Sequence, residues 1–258
     1  MHLRSFATTQ LLGQESIELR APHDQRQVIA MMPVCSKDVL AEVVEQAKII
    51  QKEWAQQSIE ERALCIASFI PLIEAHFDEI IEALRTEQGM LDSVVRREVQ
   101  ESISQINHTL QVAPAELASI HLADESYTAE IRKVPFGITA AIVPWNAPIS
   151  LATAKVIPAL LSGNAIIVKP SPRAPIGVTL FLDLLRSCLP PGLISVLHGL
   201  DELGEAMIQH PDIRKISFTG STAVGKRVAA SAASELKSVQ LELGGNDAAV
   251  VLSDADIK

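Results

Sequence analysis

From Ile138 onward, short apolar runs of strand length alternate with longer runs that have helical spacing. The order is strand, helix, strand, a helix over 175–188, a strand over 194–197 and a helix from Glu202, then a tight turn and two more strands. Such alternation is typical of a parallel sheet with helices on both faces. The sequence therefore predicts an α/β fold with a doubly wound, Rossmann-like sheet, which binds its ligand at the carboxyl ends of the strands.

One of the predicted strands leads into a tight turn that contains glycine. In KISFTGSTAVGKRVAASAAS, Ile216 and Phe218 alternate as in a buried strand, and helical spacing resumes after Gly220. Unpaired N–H groups at a helix start favour a phosphate, and the Ser221 hydroxyl adds a donor. Gly220 and Gly225 lack a Cβ, which would let the main chain approach a ligand closely. The same pattern also fits an ordinary helix cap in any parallel α/β protein.

The turn also comes close to the phosphate loop of nucleotide hydrolases. Gly220, Gly225 and Lys226 fit the spacing G-x-x-x-x-G-K, and an apolar run over 248–252 precedes Asp254. In those hydrolases a Ser or Thr after the lysine holds magnesium, whereas this chain has Arg227. A P-loop hydrolase is therefore the weaker of the two interpretations.

Two prolines fix the loop that follows the strand at Ile138. Pro144 and Pro148 enclose Asn146 in the segment PWNAP, and each proline restricts its own φ and the residue before it. An asparagine held in this way can aim its side-chain N–H at an oxygen that becomes negative during a reaction. Alternatively, Asn146 caps the next helix.

Four blocks in this order, PWNAP, KPS, FTGSTAVG and LELGG, resemble the aldehyde dehydrogenase superfamily. The resemblance is specific from about Tyr127 to Lys258 and looser over the N-terminal half. It implies NAD(P)-dependent oxidation of an aldehyde to a carboxylic acid, and a homo-oligomer in the intact enzyme.

The resemblance also implies roles for single residues. Asn146 would be the oxyanion donor and Glu242 the general base, a role suited by a pKa raised through burial. Otherwise Glu242 is a salt-bridged strand residue. Lys169 would reach the adenosine ribose and Ser221 the pyrophosphate. The implied cofactor-binding set is Ile142, Val143, Pro144, Trp145, Lys169, Phe218, Gly220, Ser221, Gly225, Leu243 and Gly244.

A first departure from the family pattern concerns the ribose. The family often has a glutamate for the ribose hydroxyls three positions after the lysine, where this chain has Pro172 followed by Arg173. Loss of the acid removes repulsion toward a 2′-phosphate, and Arg173 could pair with that phosphate or be a solvated loop cation. The cofactor is therefore NAD or NADP, with NAD slightly favoured.

A second departure concerns the nucleophile. The family's catalytic cysteine lies a few dozen residues beyond the glutamate, past Lys258, and Cys35, Cys65 and Cys188 stand in other contexts. We therefore predict that this chain lacks the catalytic domain and is inactive alone. An alternative is a shortened paralogue retained for dinucleotide binding or subunit association. Three cysteines without a pattern indicate a reducing compartment and neither a disulfide framework nor a metal site.

Composition limits the remaining function classes. The chain is 48% hydrophobic, yet no apolar run approaches the ~18 residues of a membrane helix. A net charge of −9, from 22 basic and 31 acidic residues, argues against a general nucleic-acid surface. We expect a cytoplasmic protein that acts on a small-molecule aldehyde, with no metal and no nucleic-acid or membrane partner.

The N-terminal part has mainly helical patterns. A helix is predicted from Ser36 to about residue 56, and Ser58 with Glu61 forms a capping box for a second helix that runs to about residue 87. Gly89 ends that helix, and a third follows over 92–117.

The predicted organisation is one incomplete NAD(P)-binding domain over 1–258. Residues 1–125 form its mainly helical region and residues 126–258 its parallel-sheet cofactor core. An extended arm over 1–33 covers a sheet edge or is poorly ordered.

Overall fold

The computed structural model describes residues 15–124 and 126–256. A β-hairpin and five helices form the N-terminal part, and a second hairpin follows them. Their bounds are β1 (Ser16–Ala21), β2 (Asp24–Pro33), α1 (Lys37–Trp54), α2 (Ile59–Ala67), α3 (Phe69–Ala75), α4 (Phe77–Gln88), α5 (Asp92–Leu117), β3 (Ile120–Ala123) and β4 (Thr128–Ile131).

A parallel sheet with intervening helices forms the rest of the described chain. Its elements are β5 (Ile138–Ile142), α6 (Pro148–Leu161), β6 (Ala165–Lys169), α7 (Ile176–Arg186), β7 (Ile194–Val196), α8 (Asp201–Gln209), β8 (Ile213–Thr219), α9 (Thr222–Ser234) and β9 (Ser238–Glu242). The strands lie in the order β7-β6-β5-β8-β9, and every neighbouring pair is parallel. The predicted α/β class with a doubly wound parallel sheet is confirmed.

The direction of winding reverses between β5 and β8. The chain runs outward from β5 to β7 and then returns to place β8 on the other side of β5. In open α/β sheets, ligands bind in the crevice at the carboxyl ends of strands at such a switch point. All five residues of β6 are buried, as expected for a parallel strand that has helices on both faces.

The N-terminal helices agree with the sequence except at one place. Ser36 caps α1, the capping box of Ser58 and Glu61 forms, and Gly89 ends α4 in the left-handed conformation with φ of 67°. The single helix predicted up to residue 87 is wrong, because the chain forms α2, α3 and α4 instead. Pro71 explains the first interruption, since its ring excludes a regular helical contact with the carbonyl of Ala67, the last residue of α2.

The described part of the N-terminal arm does not cover an edge of the parallel sheet. Residues 16–33 form a separate antiparallel hairpin, whose Leu19, Ala30 and Met32 pack with Ile176. Residues 1–14 of the predicted arm lie outside the described residues.

The second of the two strands predicted after the glycine turn is also not formed. Within the described residues, only β9 follows the turn, and the chain from 243 to 256 contains no strand. Val250 and Val251 are exposed there, and no neighbouring strand offers them hydrogen bonds. None of the described helices combines the length and the apolar character needed to cross a bilayer.

The helices of the N-terminal part hold α6 at its C-terminal end. The indole Nε1–H of Trp54 donates to the carbonyl of Leu160 at 2.8 Å, and Arg62 Nε donates to the carbonyl of Leu161 at 2.9 Å. Gln51 Nε2 donates to the carbonyl of Gly163 at 2.9 Å. Because the last carbonyls of a helix have no partner within it, these three donors fix the end of α6 from outside.

Candidate active site

The predicted site residues meet at the carboxyl edge of the sheet. Ile142 at the end of β5 lies opposite Lys169 of β6 on one side and Phe218 of β8 on the other. The backbone N–H of Gly220 donates to the carbonyl of Glu242 at 3.1 Å. The structure therefore places the predicted phosphate turn and the predicted base at the ends of the neighbouring strands β8 and β9, next to the switch point.

The turn after β8 is a capped helix start. Ser221 is the N-cap of α9, and its Oγ accepts from the backbone N–H of Val224 at 3.3 Å. The alternative of an ordinary helix cap is therefore real, but the hydroxyl proton of Ser221 remains a donor. The first N–H groups of α9 have no acceptor inside the helix, so they are suited to an anion.

The P-loop alternative does not fit this geometry. Helix α9 begins at Thr222, so that Gly225 and Lys226 lie within the helix. A long glycine-rich loop that could wrap around a triphosphate is therefore replaced by a turn of two residues, Gly220 and Ser221.

The glycines of the turn make room for protein side chains. A Cβ on Gly220 would lie 2.5 Å from Cζ of Phe218, and one on Gly225 would lie 2.3 Å from Cδ2 of Leu243. Close approach of a ligand to the main chain at these glycines stays a prediction. Their absent side chains let Phe218 and Leu243 pack against the turn. At Gly244, a Cβ would meet only Thr222 Oγ1, at 3.8 Å.

A cavity of about 100 Å³ opens beside this turn. Its walls come from the ends of β5, β6 and β8 and from α8 and α9. The lining residues are Ile142, Lys169, Asp201, Gly204, Glu205, Ile208, Phe218, Val224, Arg227 and Val228. We call it the α8/α9 cavity.

Lys169 gives the α8/α9 cavity its chemistry. The residue is 6% exposed, and burial lowers its pKa, while the charges of Asp201 and Glu202 act in the opposite direction. Within the described residues, the Lys169 ammonium has no hydrogen-bond or ion-pair partner. A buried cation to which no described residue is hydrogen-bonded, beside the amino end of α9, suits a ligand that carries phosphate and hydroxyl groups.

Asn146 does not cap the following helix. The N-cap position of α6 is Ala147, and the cap comes from Glu98 of α5, whose Oε1 accepts from the N–H groups of Ile149 at 2.8 Å and Ser150 at 3.2 Å. The exposed side chain of Asn146 makes no hydrogen bond to any described residue. Its amide is therefore free to donate to a ligand.

Two further contacts fix the loop that carries Asn146. Gln88 Nε2 donates to the carbonyl of Trp145 at 2.6 Å, and the N–H of Val143 donates to the carbonyl of Lys169 at 3.1 Å. Pro144 between them has a fixed φ. The loop is thus held by the N-terminal helices on one side and by β6 on the other.

Glu242 lies at the end of the edge strand β9 and its side chain is exposed. The expected burial of this carboxylate is therefore not found, and no described residue forms a salt bridge with it. Lys155 of α6 lies close enough for their charges to interact. This lysine is 7% exposed, and burial lowers its pKa while Glu242 acts in the opposite direction.

Lys155 was missed by the sequence analysis, although a signal exists. It is the single charge in PISLATAKVIPALL, a helix whose other residues are apolar or small. A lone lysine in such a helix either reaches solvent or lies buried, and here it is buried, on a cavity that Ser217 of β8 and Gln240 of β9 also line.

Two buried glutamates of the N-terminal helices were also missed. Glu98 caps α6, and Glu87 caps α7, because its two carboxyl oxygens accept from the N–H groups of Ile176 at 2.5 Å and Gly177 at 2.9 Å. Glu98 stands between Val95 and Val99 on the buried face of α5. A charged residue at a core-facing helix position is the signal that could have found it.

We expect Glu87→Gln to change how stability depends on pH. Burial raises the pKa of Glu87 to about 8, although the two N–H donors act to lower it. Between about pH 4.5 and about pH 8 the folded protein therefore keeps a proton on Glu87 that the unfolded chain has released. Over this range the free energy of unfolding decreases by about 1.4 kcal/mol for each pH unit. In urea denaturation, the free energy of unfolding of the variant minus that of wild type should therefore increase by a few kcal/mol between about pH 5 and about pH 8.

The control for this measurement is Glu74→Gln, which changes an exposed glutamate of α3. Because this side chain lies on the surface, the substitution should leave the stability close to that of wild type over the same pH range. A flat difference for Glu87→Gln as well would contradict the assigned proton.

The cysteines of the described chain lie away from this site. Cys35 is buried and its N–H donates to the carbonyl of His198, just beyond β7. Strand β7 is four positions from β9 in the sheet, or roughly 19 Å at the usual strand spacing. Cys65 lies in α2, and Cys188 follows α7. Among the described residues, no group of three or more His, Cys, Asp or Glu is placed to hold a metal.

The parallel sheet, with the buried Lys169 at its carboxyl edge, defines an α/β protein. A family model described as the aldehyde dehydrogenase family matches residues 10–258. The chain is 36% identical over 235 residues to vanillin dehydrogenase from Amycolatopsis sp., covering 87% of this chain and 47% of that protein. This chain belongs to the aldehyde dehydrogenase family.

Solved structures agree in fold. An NADP-dependent glyceraldehyde-3-phosphate dehydrogenase from Bacillus halodurans C-125, complexed with NADP, has a TM-score of 0.86 at 30% identity, over 94% of this chain and 52% of that one. PnpE in complex with nicotinamide adenine dinucleotide has a TM-score of 0.89 at 27% identity, over 95% and 51%. The chain spans about half the length of the relatives it matches.

Proposed function

We propose that this chain supplies the NAD(P) site, the oxyanion donor and the general base for the oxidation of an aldehyde to a carboxylic acid. The observation that carries the proposal is the hydrogen bond of 3.1 Å from the N–H of Gly220 to the main-chain carbonyl of Glu242, which places the turn suited to phosphate beside the strand end that carries the base. The two complexed neighbours, one with NAD and one with NADP, support this choice of cofactor.

The adenosine part of the cofactor is assigned to the α8/α9 cavity. Lys169 would bind the ribose, and Ser221 with the first N–H groups of α9 would bind the diphosphate. Ile142, Val143 and Trp145 would line one side of the path, and Leu243 and Gly244 would lie near the nicotinamide. When bound, NAD(P) accepts a hydride from the substrate.

The protein's own contribution to the reaction is a donor and a base. The free amide of Asn146 would donate to the aldehyde oxygen as negative charge develops there. The Glu242 carboxylate would take a proton from the water that hydrolyses the acyl group. The buried ammonium of Lys155 would stabilise the ionised form of Glu242 through its charge.

The exposed apolar face of the β3–β4 hairpin supports a further part of the proposal, a homo-oligomer of the intact enzyme. Ile120, Leu122 and Ile131 are each at least 44% exposed on this hairpin. Exposed apolar residues on one small element are typical of an interaction surface.

The test is to measure dinucleotide binding and turnover with the same purified 258-residue chain. We expect NAD or NADP to bind in calorimetry and no NAD(P)H to form on addition of an aldehyde, because no described cysteine lies beside Glu242. If the chain binds neither NAD nor NADP, the proposed site is overturned. Aldehyde-dependent NAD(P)H formation would overturn the claim that the chain is inactive alone. Binding without turnover would agree with both the proposed site and that claim. The same result would also fit the second candidate, a shortened paralogue that only binds the dinucleotide.

A further inference from the structure

Pro172 and Arg173, where the chain departs from the family pattern for the ribose, do not line the α8/α9 cavity. Pro172 and Arg173 lie on a separate cavity of about 450 Å³, which they share with Glu18, Arg20 and Trp145. Neither Pro172 nor Arg173 therefore supplies an acid to the cavity assigned to adenosine.

Helix α8 supplies the acidic groups of the α8/α9 cavity instead. Asp201 and Glu205 both line it, together with Gly204 between them. Glu205 is already engaged, because its Oε1 accepts from Gln209 Nε2 at 2.9 Å and from Ser231 Oγ at 2.8 Å. The charge of Asp201 acts on Lys169, but no described residue donates a hydrogen bond to its carboxylate. Asp201 is therefore the carboxylate of this cavity that is free to bind a ligand.

The charges of the side chains that line the cavity are balanced only while Asp201 is ionised. Lys169 and Arg227 contribute two positive charges, and Asp201 and Glu205 contribute two negative ones. Arg227 also has no hydrogen bond or ion pair with a described residue. A carboxylate accepts hydrogen bonds from the two hydroxyls of a ribose but repels a phosphate in the same place.

From this placement, and given the proposed function on which it rests, we infer that Asp201 receives the ribose hydroxyls of the adenosine and sets the preference for NAD over NADP. Asp201 reaches the ribose from the first turn of α8, whereas the acid of the family pattern lies after β6, at the position that Pro172 occupies here. Lys169 and Arg227 stay on the cavity wall and pair with a 2′-phosphate once the carboxylate is removed.

The experiment compares the binding of NAD and of NADP to wild type, Asp201→Asn and Glu202→Gln by calorimetry. Glu202 is the matched control, because it is the exposed acid next to Asp201 on α8 but does not line the cavity. We expect Asp201→Asn to weaken NAD binding about tenfold and to strengthen NADP binding about tenfold, since hydrogen bonds to a charged group are lost and a repulsion is removed. Glu202→Gln should leave the ratio of the two affinities unchanged.

A gain in NADP affinity is a result that misfolding cannot produce, and a thermal melt verifies that each variant is folded. The inference is overturned if Asp201→Asn leaves the ratio unchanged, or if Glu202→Gln shifts it equally, which is the result of a general charge effect. If wild type binds neither dinucleotide, the proposed function itself fails.

Discussion

Leucine in place of Gly204 is expected to weaken NAD(P) binding at least about a hundredfold. Gly204 lies in α8 on the wall of the α8/α9 cavity, where an added Cβ would be 3.8 Å from Cδ of Lys169 and 3.9 Å from Cδ1 of Ile142. A Cβ therefore fits, but the rest of a leucine side chain would extend into a cavity of only about 100 Å³. A hundredfold loss corresponds to about 2.7 kcal/mol and is measurable by calorimetry.

Gly204→Ala is the matched control for this blocking variant. Its Cβ makes ordinary contacts, and alanine favours a helix over glycine by up to about 1 kcal/mol. We expect the alanine variant to bind the dinucleotide with nearly wild-type affinity and to melt at a slightly higher temperature. Unchanged binding to a folded Gly204→Leu protein would show that the adenosine does not occupy this cavity.

Trp54→Ala is expected to destabilise the protein by about 3–5 kcal/mol. The indole is 1% exposed, and its Nε1–H caps the carbonyl of Leu160 at the end of α6. The variant loses the buried ring and leaves that carbonyl without its donor. Because a whole domain is stable by only about 5–15 kcal/mol, the change should shift the urea midpoint strongly.

Two further variants separate the contribution of the hydrogen bond from that of the buried ring. Trp54→Phe keeps most of the apolar contact and removes the hydrogen bond, so it should cost about 1–3 kcal/mol. Trp145→Ala removes the other tryptophan, which is 46% exposed, and its stability should stay close to wild type. Equal losses for Trp54→Ala and Trp145→Ala would contradict the claim that the N-terminal helices hold α6.

The fold could be predicted because its determinants are local. Alternating apolar residues, prolines and glycines define β5, α6, β8 and α9 within short windows of sequence, and the capping box of Ser58 and Glu61 needs only four residues. The predicted second helix was wrong in part because of Pro71, since a helical apolar pattern continues across a residue that interrupts the helix.

The support of the candidate site could not be predicted, because it depends on contacts between distant residues. Glu98 and Ile149 are 51 residues apart, and Trp54 and Leu160 are 106 apart. From the sequence, Asn146 is the candidate for the cap of α6, because it lies just before that helix. Only the fold reveals that Glu98, which is distant in sequence, takes that role. In the same way, a glycine next to a phosphate turn suggests room for a ligand, whereas Gly225 makes room for Leu243.

The central claim is that one dinucleotide lies along the carboxyl edge of the sheet, from the α8/α9 cavity to Glu242. The most direct measurement is a crystal structure of this chain with NAD bound. We predict adenosine beside Lys169, diphosphate at the first turn of α9 and the nicotinamide ring next to Glu242. A dinucleotide bound away from the switch point between β5 and β8, with the α8/α9 cavity empty, would contradict the account.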